Sequence, residues 1–583
     1  MATESGNETG TRGSQPTVTE TDVSSVAASI LTAYEDMNMP VSRYFLLIIL
    51  PAALFFVGSV IVAVMVELPA MIRLPIPLLG ILMIGSAILY PKIQLDQRRK
   101  RMQEVFHLYV THMTTLSTTN IDRVEVFRRV ANEDEYGPLS EETRRIVQLV
   151  DTWNQSLDDA CRMRAKNVPA DVVSDFFDRL SYTINAGNTL SSYLVNEQET
   201  IIQNYVTIYE GQLENLEIMK DLYLSMVLSV TFALVFATVL PMLTGTDPTL
   251  TVSAVVVMYT FVQGGFLYAI YTVSPSDPIW YFPPDRTTAT ERKLQVGTAI
   301  GMALSLAILV GTLFVMLGYT PVDPSSIPLP MYAAIPTTPL LIPGLIARTE
   351  EADVKKRDEE FVSFIRALGA SESAQQTTTT KVLRKLRHKD FGPLTSVVND
   401  LYKRLNMRLS QETAWRMFAA DAHSYLIQKF SEMYLTGRAM GGDPKHLGEI
   451  IAENMNEVLQ LREQRDQSTI TLIGVLYGIT AASTFSFFIG ISIVMILSGM
   501  EMNLDSSMFE FASIINTKSY DIGLIKYLLT LTILINALLA SLIIRVVDGG
   551  HKVNSYMHFV IMTWSSSLIG VATIEIVGTI LAV

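Results

Sequence analysis

The chain has 583 residues, of which 49% are hydrophobic and only 17% are charged, below the roughly 25% charged residues of a soluble domain. The formal net charge of −13 argues against nucleic acid as a partner of the whole chain. The single cysteine, Cys161, cannot form an internal disulfide, so we expect a buried, inert thiol.

Residues 1–43 precede the first apolar run and begin with a stretch rich in Ser, Thr, Glu and Gly. Such composition predicts a disordered or amphipathic cytoplasmic tail, and no signal peptide is expected because no basic region precedes an apolar core. Nine later segments are apolar enough to cross a hydrocarbon core, which takes roughly 20 residues. They are 44–66, 74–91, 222–243, 251–273, 295–318, 330–347, 470–498, 524–545 and 557–582. The second and sixth are short and contain prolines, so we expect kinked or re-entrant helices whose freed backbone groups are covered by neighbours.

Basic residues set the predicted orientation, because Lys and Arg concentrate on the cytoplasmic side of a membrane. With the N-terminus inside, 41 of the 44 Lys and Arg lie in cytoplasmic segments or at their boundary, and the exceptions are Arg73, Lys518 and Lys526. The sequence therefore predicts a multi-pass protein of the cell membrane. The side of the C-terminus depends on the number of spans.

An internal duplication organises the chain at a spacing near 255 residues. The run Gly137-Pro138-Leu139 matches Gly392-Pro393-Leu394, and Gly187 matches Gly441 after a shift of one residue. Each half reads as two spans, a polar helical segment and two more spans, and one extra span follows. The predicted order is the tail 1–43, spans 44–91, first polar segment 92–221, spans 222–273, loop 274–294, spans 295–347, second polar segment 348–469, spans 470–545, loop 546–556 and final span 557–583.

Both polar segments show apolar residues at spacings of three and four, which is typical of helices. The Gly-Pro pairs Gly137-Pro138 and Gly392-Pro393 predict turns that end one helix before the next begins. Gly187 and Gly441 are expected where a helix ends and the chain needs a left-handed residue. The fold class is thus an all-α integral membrane protein with about nine transmembrane helices and two duplicated helical cytoplasmic domains.

The two polar segments differ in charge. The first holds 15 basic and 21 acidic residues, and the second holds 19 and 18. Two basic runs follow spans and are expected to anchor the topology at lipid headgroups; they are Arg98-Arg99-Lys100-Arg101 and Lys355-Lys356-Arg357. A third basic run predicts a docking surface for an acidic partner, with a solvated surface as the alternative. It comprises Lys381, Arg384, Lys385, Arg387, His388 and Lys389, with Lys381, Arg384, Lys385 and His388 spaced to share a helical face.

Catalytic motifs are missing from the sequence. It has no GxxxxGK[ST] phosphate loop, no HExxH and no zinc-type Cys/His spacing, so we expect neither an enzyme nor a bound cofactor or metal. Two charged residues, Glu575 and Lys526, fall near the predicted outer ends of spans, where an interfacial or structural role is expected. Gln263 and Asn536 are expected to form interhelical hydrogen bonds.

The duplicated helical segments, each with a Gly-Pro-Leu turn and a later helix-breaking glycine, resemble the type II secretion F-domain family over residues 34–583. Members are membrane platforms of type IV pili, type II secretion systems and archaella. The length, the extra spans and the stretch Tyr34-Glu35-Asp36-Met37-Asn38-Met39-Pro40 are similar to archaeal members, of which we favour the archaellum type.

The resemblance implies a cytoplasmic motor ATPase that docks on the polar segments, filament subunits (archaellins or pilins) that are inserted from the membrane lipid, and a homodimer. Lys381, Arg384, Lys385, Arg387 and Lys389 are then the predicted ATPase-docking residues. Alternatives are the platform of an archaeal adhesion pilus, a membrane sensor or scaffold, and a secondary transporter built from parallel repeats.

Overall fold

The computed structural model describes residues 41–65, 75–119, 121–284, 286–319, 321, 323–501 and 521–581. In these residues the protein is all-α, and the one extended pairing is a bridge between Trp280 and Ser424. A short helix Val41–Tyr44 and a π-helical turn Phe45–Ile49 lead into α1 Leu50–Met65. The next helices are α2 Pro75–Ser117, α3 Arg123–Ala131, α4 Pro138–Asp151, α5 Leu157–Ala165, α6 Asp171–Asn185, α7 Leu190–Thr244, α8 Pro248–Val273 and α9 Ala289–Met316. The others are α10 Leu329–Thr337, α11 Leu341–Gln375, α12 Thr379–Leu386, α13 Leu394–Asn406, α14 Gln411–Ala422, α15 Tyr425–Ala439, α16 Pro444–Glu501, α17 Ile522–Asp548 and α18 Ser555–Leu581.

Eight helices within the described ranges are long and apolar enough to cross a membrane, so the chain is a multi-pass membrane protein. They are Ser42–Ile61, Leu190–Met242, Pro248–Val273, Ala289–Met316, Leu329–Gln375, Pro444–Ile496, Ile522–Asp548 and Lys552–Ile580. The second predicted span, 74–91, begins outside the described residues and continues into α2, which is not among the eight. The ninth span and the domain boundaries therefore stay predictions.

The chain divides into two compact units. The first comprises residues 1–105 and 131–185, and the second comprises 106–130 and 186–583. In the described part of the first unit, α4, α5 and α6 enclose an apolar core that includes Ile146, Phe176 and Phe177. Cys161 is buried in this unit, and burial raises the pKa of its thiol, as expected for an inert cysteine.

The second unit contains a bundle of α7, α8, α16 and α17. The amides predicted to bond between helices do so, because Gln263 Nε2 donates to Asn536 Oδ1 at 2.6 Å. Tyr259 donates to the same oxygen at 3.0 Å, and Asn536 Nδ2 donates to Thr480 Oγ1 at 3.2 Å. Three of these helices, α8, α16 and α17, are thus joined by a small polar network that is buried between them.

Proline breaks the sixth predicted span into α10 and α11, joined by the single turn Thr338–Leu340. Pro336 lies inside α10, and its carbonyl accepts a hydrogen bond from Ser305 of α9 at 2.6 Å. Pro330 O accepts one from Ser567 of α18 at 2.8 Å. Side chains of α9 and α18 therefore bond to backbone carbonyls of this segment, and coverage of the carbonyls that the prolines free stays a prediction.

The duplication recurs in the order of the helices. Three consecutive pairs begin 254 residues apart, at 157 and 411, 171 and 425, and 190 and 444. The turn glycines also match, with φ of 54° at Gly137 and 52° at Gly392. Gly187 and Gly441 have φ of 87° and 88°, a conformation that other residues adopt only under strain. The two polar segments are two copies of one helical arrangement.

Candidate docking surface and short-loop junction

The predicted docking surface consists of Lys381, Arg384, Lys385, Arg387 and Lys389. Apolar residues fix its helix, since Val382 and Leu383 of α12 are fully buried. This places Lys381, Arg384 and Lys385 on the exposed side of α12. The helix ends at Leu386, so His388 lies in the following turn and does not continue the helical face that the spacing predicted.

Two further cations of the docking surface are held by aromatic rings. The Arg387 guanidinium lies 4.5 Å from the ring centre of Tyr402 on α13. Lys389 Nζ lies 5.2 Å from the ring centre of Phe391, which is buried and packs edge-on against Phe364. These cation–π contacts orient the two charges without neutralising them.

Within the described part of the chain, no carboxylate forms an ion pair with Lys381, Arg384, Lys385, Arg387 or Lys389. Lys385 bonds instead to the neutral amide of Gln375 at 3.3 Å. A cluster of uncompensated positive charges creates a potential that attracts an acidic surface and raises its association rate. The surface can therefore bind a protein of opposite charge.

The first predicted anchor run pairs with carboxylates of its own unit. Arg98 lies 3.0 Å from Glu141 and 3.3 Å from Glu142, and Arg99 pairs with Asp171. Lys100 lies 3.7 Å from Glu104, while Arg101 is exposed. Arg98 and Arg99 thus connect α2 to α4 and α6 within the first unit, and the role of the run at lipid headgroups stays a prediction.

The second predicted anchor run has a mixed placement. Lys356 is exposed, and Arg357 donates to the carbonyl of Ala422 at 3.1 Å. Lys355 bonds to both oxygens of Asp466 at 2.8 and 2.9 Å and lies 3.7 Å from Asp548. Lys355 thereby connects α11 to α16 and to the end of α17.

These contacts are part of a larger polar cluster that the sequence did not indicate, which we call the short-loop junction. It joins the two loops that connect neighbouring spans, after α8 and after α17, to the helices of the second polar segment. Its members are Asp277, Trp280, Glu351, Lys355, Asp358, Ser424, Arg462, Arg465, Asp466, Asp548 and His551.

Arg462 of α16 is the centre of the junction. Its Nε and Nη2 donate to the two oxygens of Asp277 at 2.6 and 2.9 Å, and Nη1 donates to Asp358 at 2.8 Å. A fourth bond runs from Nη2 to the carbonyl of Pro278 at 3.0 Å. The side chains of Arg462, Asp277 and Asp358 are only 9%, 10% and 0% exposed, so this is a buried charge cluster that depends on complete pairing.

Backbone pairing extends the contact of the first short loop. Tyr281 N donates to His423 O at 2.9 Å, and Tyr425 N donates to Ile279 O at 3.1 Å. Ser424 caps α15 through Ile427 N and donates to Asp358. One serine thus links a helix N-terminus to the buried charge cluster.

The second short loop is fixed by Glu351 and Arg465. The Glu351 carboxylate accepts from Trp280 Nε1 and from His551 N, both at 2.9 Å. Arg465 donates to the carbonyl of Val547 at 2.6 Å and satisfies the free end of α17. The loop after α8 and the segment around the end of α17 are therefore both bonded to α11 and α16.

Two titratable groups report on this environment. Burial alone would raise the pKa of Asp277, but the Arg462 guanidinium more than offsets burial and holds that pKa below its ordinary value. Burial and then the charge of Arg357 lower the pKa of His423, whose Nε2 lies 2.8 Å from Thr288 Oγ1. The ionised form of Asp277 and the neutral form of His423 are therefore favoured.

Known proteins are similar to this chain over most of its length. Residues 109–238 match the family model of the type II secretion system protein F. The chain is 32% identical over 553 residues to flagella accessory protein J of Methanococcus voltae, which covers 95% of this chain and 99% of that protein. It is 30% identical over 545 residues to flagella accessory protein J of Methanocaldococcus jannaschii, covering 93% and 96%. No solved structure matches the chain.

Proposed function

The chain belongs to the flagella accessory protein J family, and on that premise we propose that it is the membrane platform of an archaellum. In this proposal it has no catalytic activity of its own. A hexameric cytoplasmic motor ATPase docks on the polar segments, chiefly on the second, and its motion drives insertion of filament subunits and rotation of the filament. The N-terminus and both polar segments face the cytoplasm, and the platform acts as a homodimer.

The docking surface supports the ATPase contact. Lys381, Arg384 and Lys385 are exposed and carry no carboxylate partner among the described residues, while the first polar segment is net acidic. The second copy of the duplicated domain is thus the one equipped for an acidic partner. The ATPase is proposed to present carboxylates to this surface.

The short-loop junction supports the transmission of motion. A machine that pushes on a cytoplasmic domain needs a rigid connection to the membrane helices, because a flexible linker would dissipate the displacement. Arg462 supplies this connection to the loop after α8, and Lys355 and Arg465 supply it to the end of α17. The junction is the proposed path from the ATPase to the spans.

Charge reversal tests the docking surface. We expect Lys381→Glu/Arg384→Glu/Lys385→Glu to abolish co-purification of the motor ATPase while the protein stays in the membrane. Arg387 is left unchanged because its stacking on Tyr402 also supports the fold.

The matched control reverses three exposed cations elsewhere in the same polar segment, Arg366, Arg408 and Lys445. It changes the net charge equally, so the control should retain the ATPase at an ionic strength of about 0.15 M, where exposed charges act over roughly 8 Å. Equal recovery of the ATPase by both triple variants would contradict the proposed surface.

The alternative of an adhesion-pilus platform predicts a different phenotype. Deletion of the gene should abolish swimming if the filament is an archaellum, and should abolish surface attachment alone if it is an adhesion pilus. The transporter alternative gains no support from the spans, because the amides of Gln263 and Asn536 bond to each other instead of presenting themselves to a substrate.

A further inference from the structure

Two charged residues that the proposed function does not use meet at one place in the structure. Lys526 of α17 and Glu575 of α18 both line a partly open cavity of about 250 Å³. The sequence placed them separately, 49 positions apart. An ionisable residue within a span is costly unless it has a function or a partner, so their convergence calls for a ligand or a structural reason.

The depth of the cavity follows from helix geometry. Lys526 lies 22 residues from the end of α17 at Asp548, and Glu575 lies 20 residues from the start of α18 at Ser555. At a rise of about 1.5 Å per residue these separations are roughly 33 and 30 Å, which equals the thickness of a hydrocarbon core. The cavity therefore lies at the membrane surface opposite the short-loop junction.

The walls of the cavity divide into a polar and an apolar part. Lys526, Glu575 and Thr530 are polar, and the remaining lining is apolar, namely Pro328, Leu329, Pro330, Phe488, Val571 and Ile574. No ion pair joins Lys526 to Glu575 in the part of the chain that the structure describes. The Lys526 ammonium and the Glu575 carboxylate thus line the same cavity without forming an ion pair with each other.

We propose that this cavity binds the headgroup of a zwitterionic aminophospholipid. Lys526 contacts the lipid phosphate, Glu575 contacts the lipid ammonium, and the apolar wall holds the start of the acyl chains. Charge complementarity selects this occupant, because an anionic lipid without an amine would leave its phosphate beside Glu575 with no compensating contact. The volume, below the roughly 300–1,000 Å³ of pockets for drug-sized ligands, suits one headgroup.

Lipid retention tests the proposal. The full-length protein is reconstituted in nanodiscs of equal parts phosphatidylethanolamine and phosphatidylglycerol, and the lipids that remain bound after detergent extraction are counted by native mass spectrometry. The wild type should retain phosphatidylethanolamine preferentially. Lys526→Gln should lower that retention by about tenfold, the equivalent of one charged hydrogen bond. Glu575→Gln should keep lipid bound but lose the preference for the amine.

A control and a second readout keep the proposal falsifiable. Lys293→Gln removes an exposed lysine from the opposite end of a span and should leave retention unchanged. A photo-crosslinking amino acid at Val571, which lines the cavity, should give an adduct with the mass of one lipid. Equal retention by the wild type and Lys526→Gln would overturn the proposal, as would an adduct with a polypeptide in place of a lipid.

Discussion

Replacement of Arg462 by glutamine should cost more stability than the loss of any exposed ion pair in the chain. The substitution removes the guanidinium that pairs with the carboxylates of Asp277 and Asp358, which are buried because their side chains are only 10% and 0% exposed. Removal of one partner from a buried ion pair costs about 3–5 kcal/mol. We therefore expect Arg462→Gln to lower the free energy of unfolding by about that amount, and to weaken the contact of the short loop after α8 with the second polar segment.

The assay is unfolding of the purified protein in mixed detergent micelles, with the free energy of unfolding obtained from the dependence on denaturing detergent. Arg129→Gln is the matched control, because Arg129 and Glu125 are 48% and 33% exposed and such pairs contribute about 0–1 kcal/mol. The triple variant Arg462→Gln/Asp277→Asn/Asp358→Asn removes the stranded charges and should recover part of the loss. A loss below about 1 kcal/mol for Arg462→Gln, or no recovery in the triple variant, would refute the reasoning.

Two further predictions concern the bundle and the junction. Asn536→Leu removes the acceptor for Gln263 and should lower the free energy of unfolding by about 1–2 kcal/mol in the same assay. Leu538→Ala, on the exposed side of α17, is the control and should lower it by less. A larger loss for Leu538→Ala than for Asn536→Leu would contradict a stabilising role of the polar network. Burial and then the charge of Arg357 lower the pKa of His423 in the folded protein. The unfolded chain therefore binds a proton at this histidine more readily than the folded protein does. The free energy of unfolding should consequently fall as the pH drops through about 6.5. His423→Asn, which tolerates the left-handed backbone there, should flatten that dependence, and an unchanged pH profile would show that His423 does not contribute.

Local patterns in the sequence predicted the helices and the duplication. Apolar spacing indicated the polar helical segments, and the Gly-Pro pairs marked turns that the structure places at Gly137 and Gly392. The contact between Gln263 and Asn536 was also predictable, because a polar amide in an apolar span seeks a partner in another span. These features depend on residues close in sequence or on a strong physical penalty.

The short-loop junction could not be predicted in the same way. Arg462 and Asp277 are 185 positions apart, and charged residues in polar helices are usually solvated. The duplication gave no help either, because the positions that correspond to Asp358 and Arg462 in the first copy are Gln103 and Ile208. The Asp358–Arg462 pair therefore has no counterpart in the first copy, and the cluster depends on the contact between the loop after α8 and α16.

The cavity at Lys526 and Glu575 was also hidden from the sequence. Each residue alone reads as an interfacial charge near the end of a span. Their meeting depends on the packing of α17 against α18 and on the proline-rich start of α10. The packing between these helices depends on many weak contacts, and no short sequence motif indicates it.

The central claim is that the second polar segment is the docking site of a motor ATPase. The most direct measurement is site-specific photo-crosslinking in native membranes, with the reactive amino acid placed at Arg384 on the docking surface or at Trp153, which is 71% exposed on the first polar segment. The account predicts an adduct with the ATPase from position 384 and little or none from position 153. An ATPase adduct from position 153 alone would contradict it.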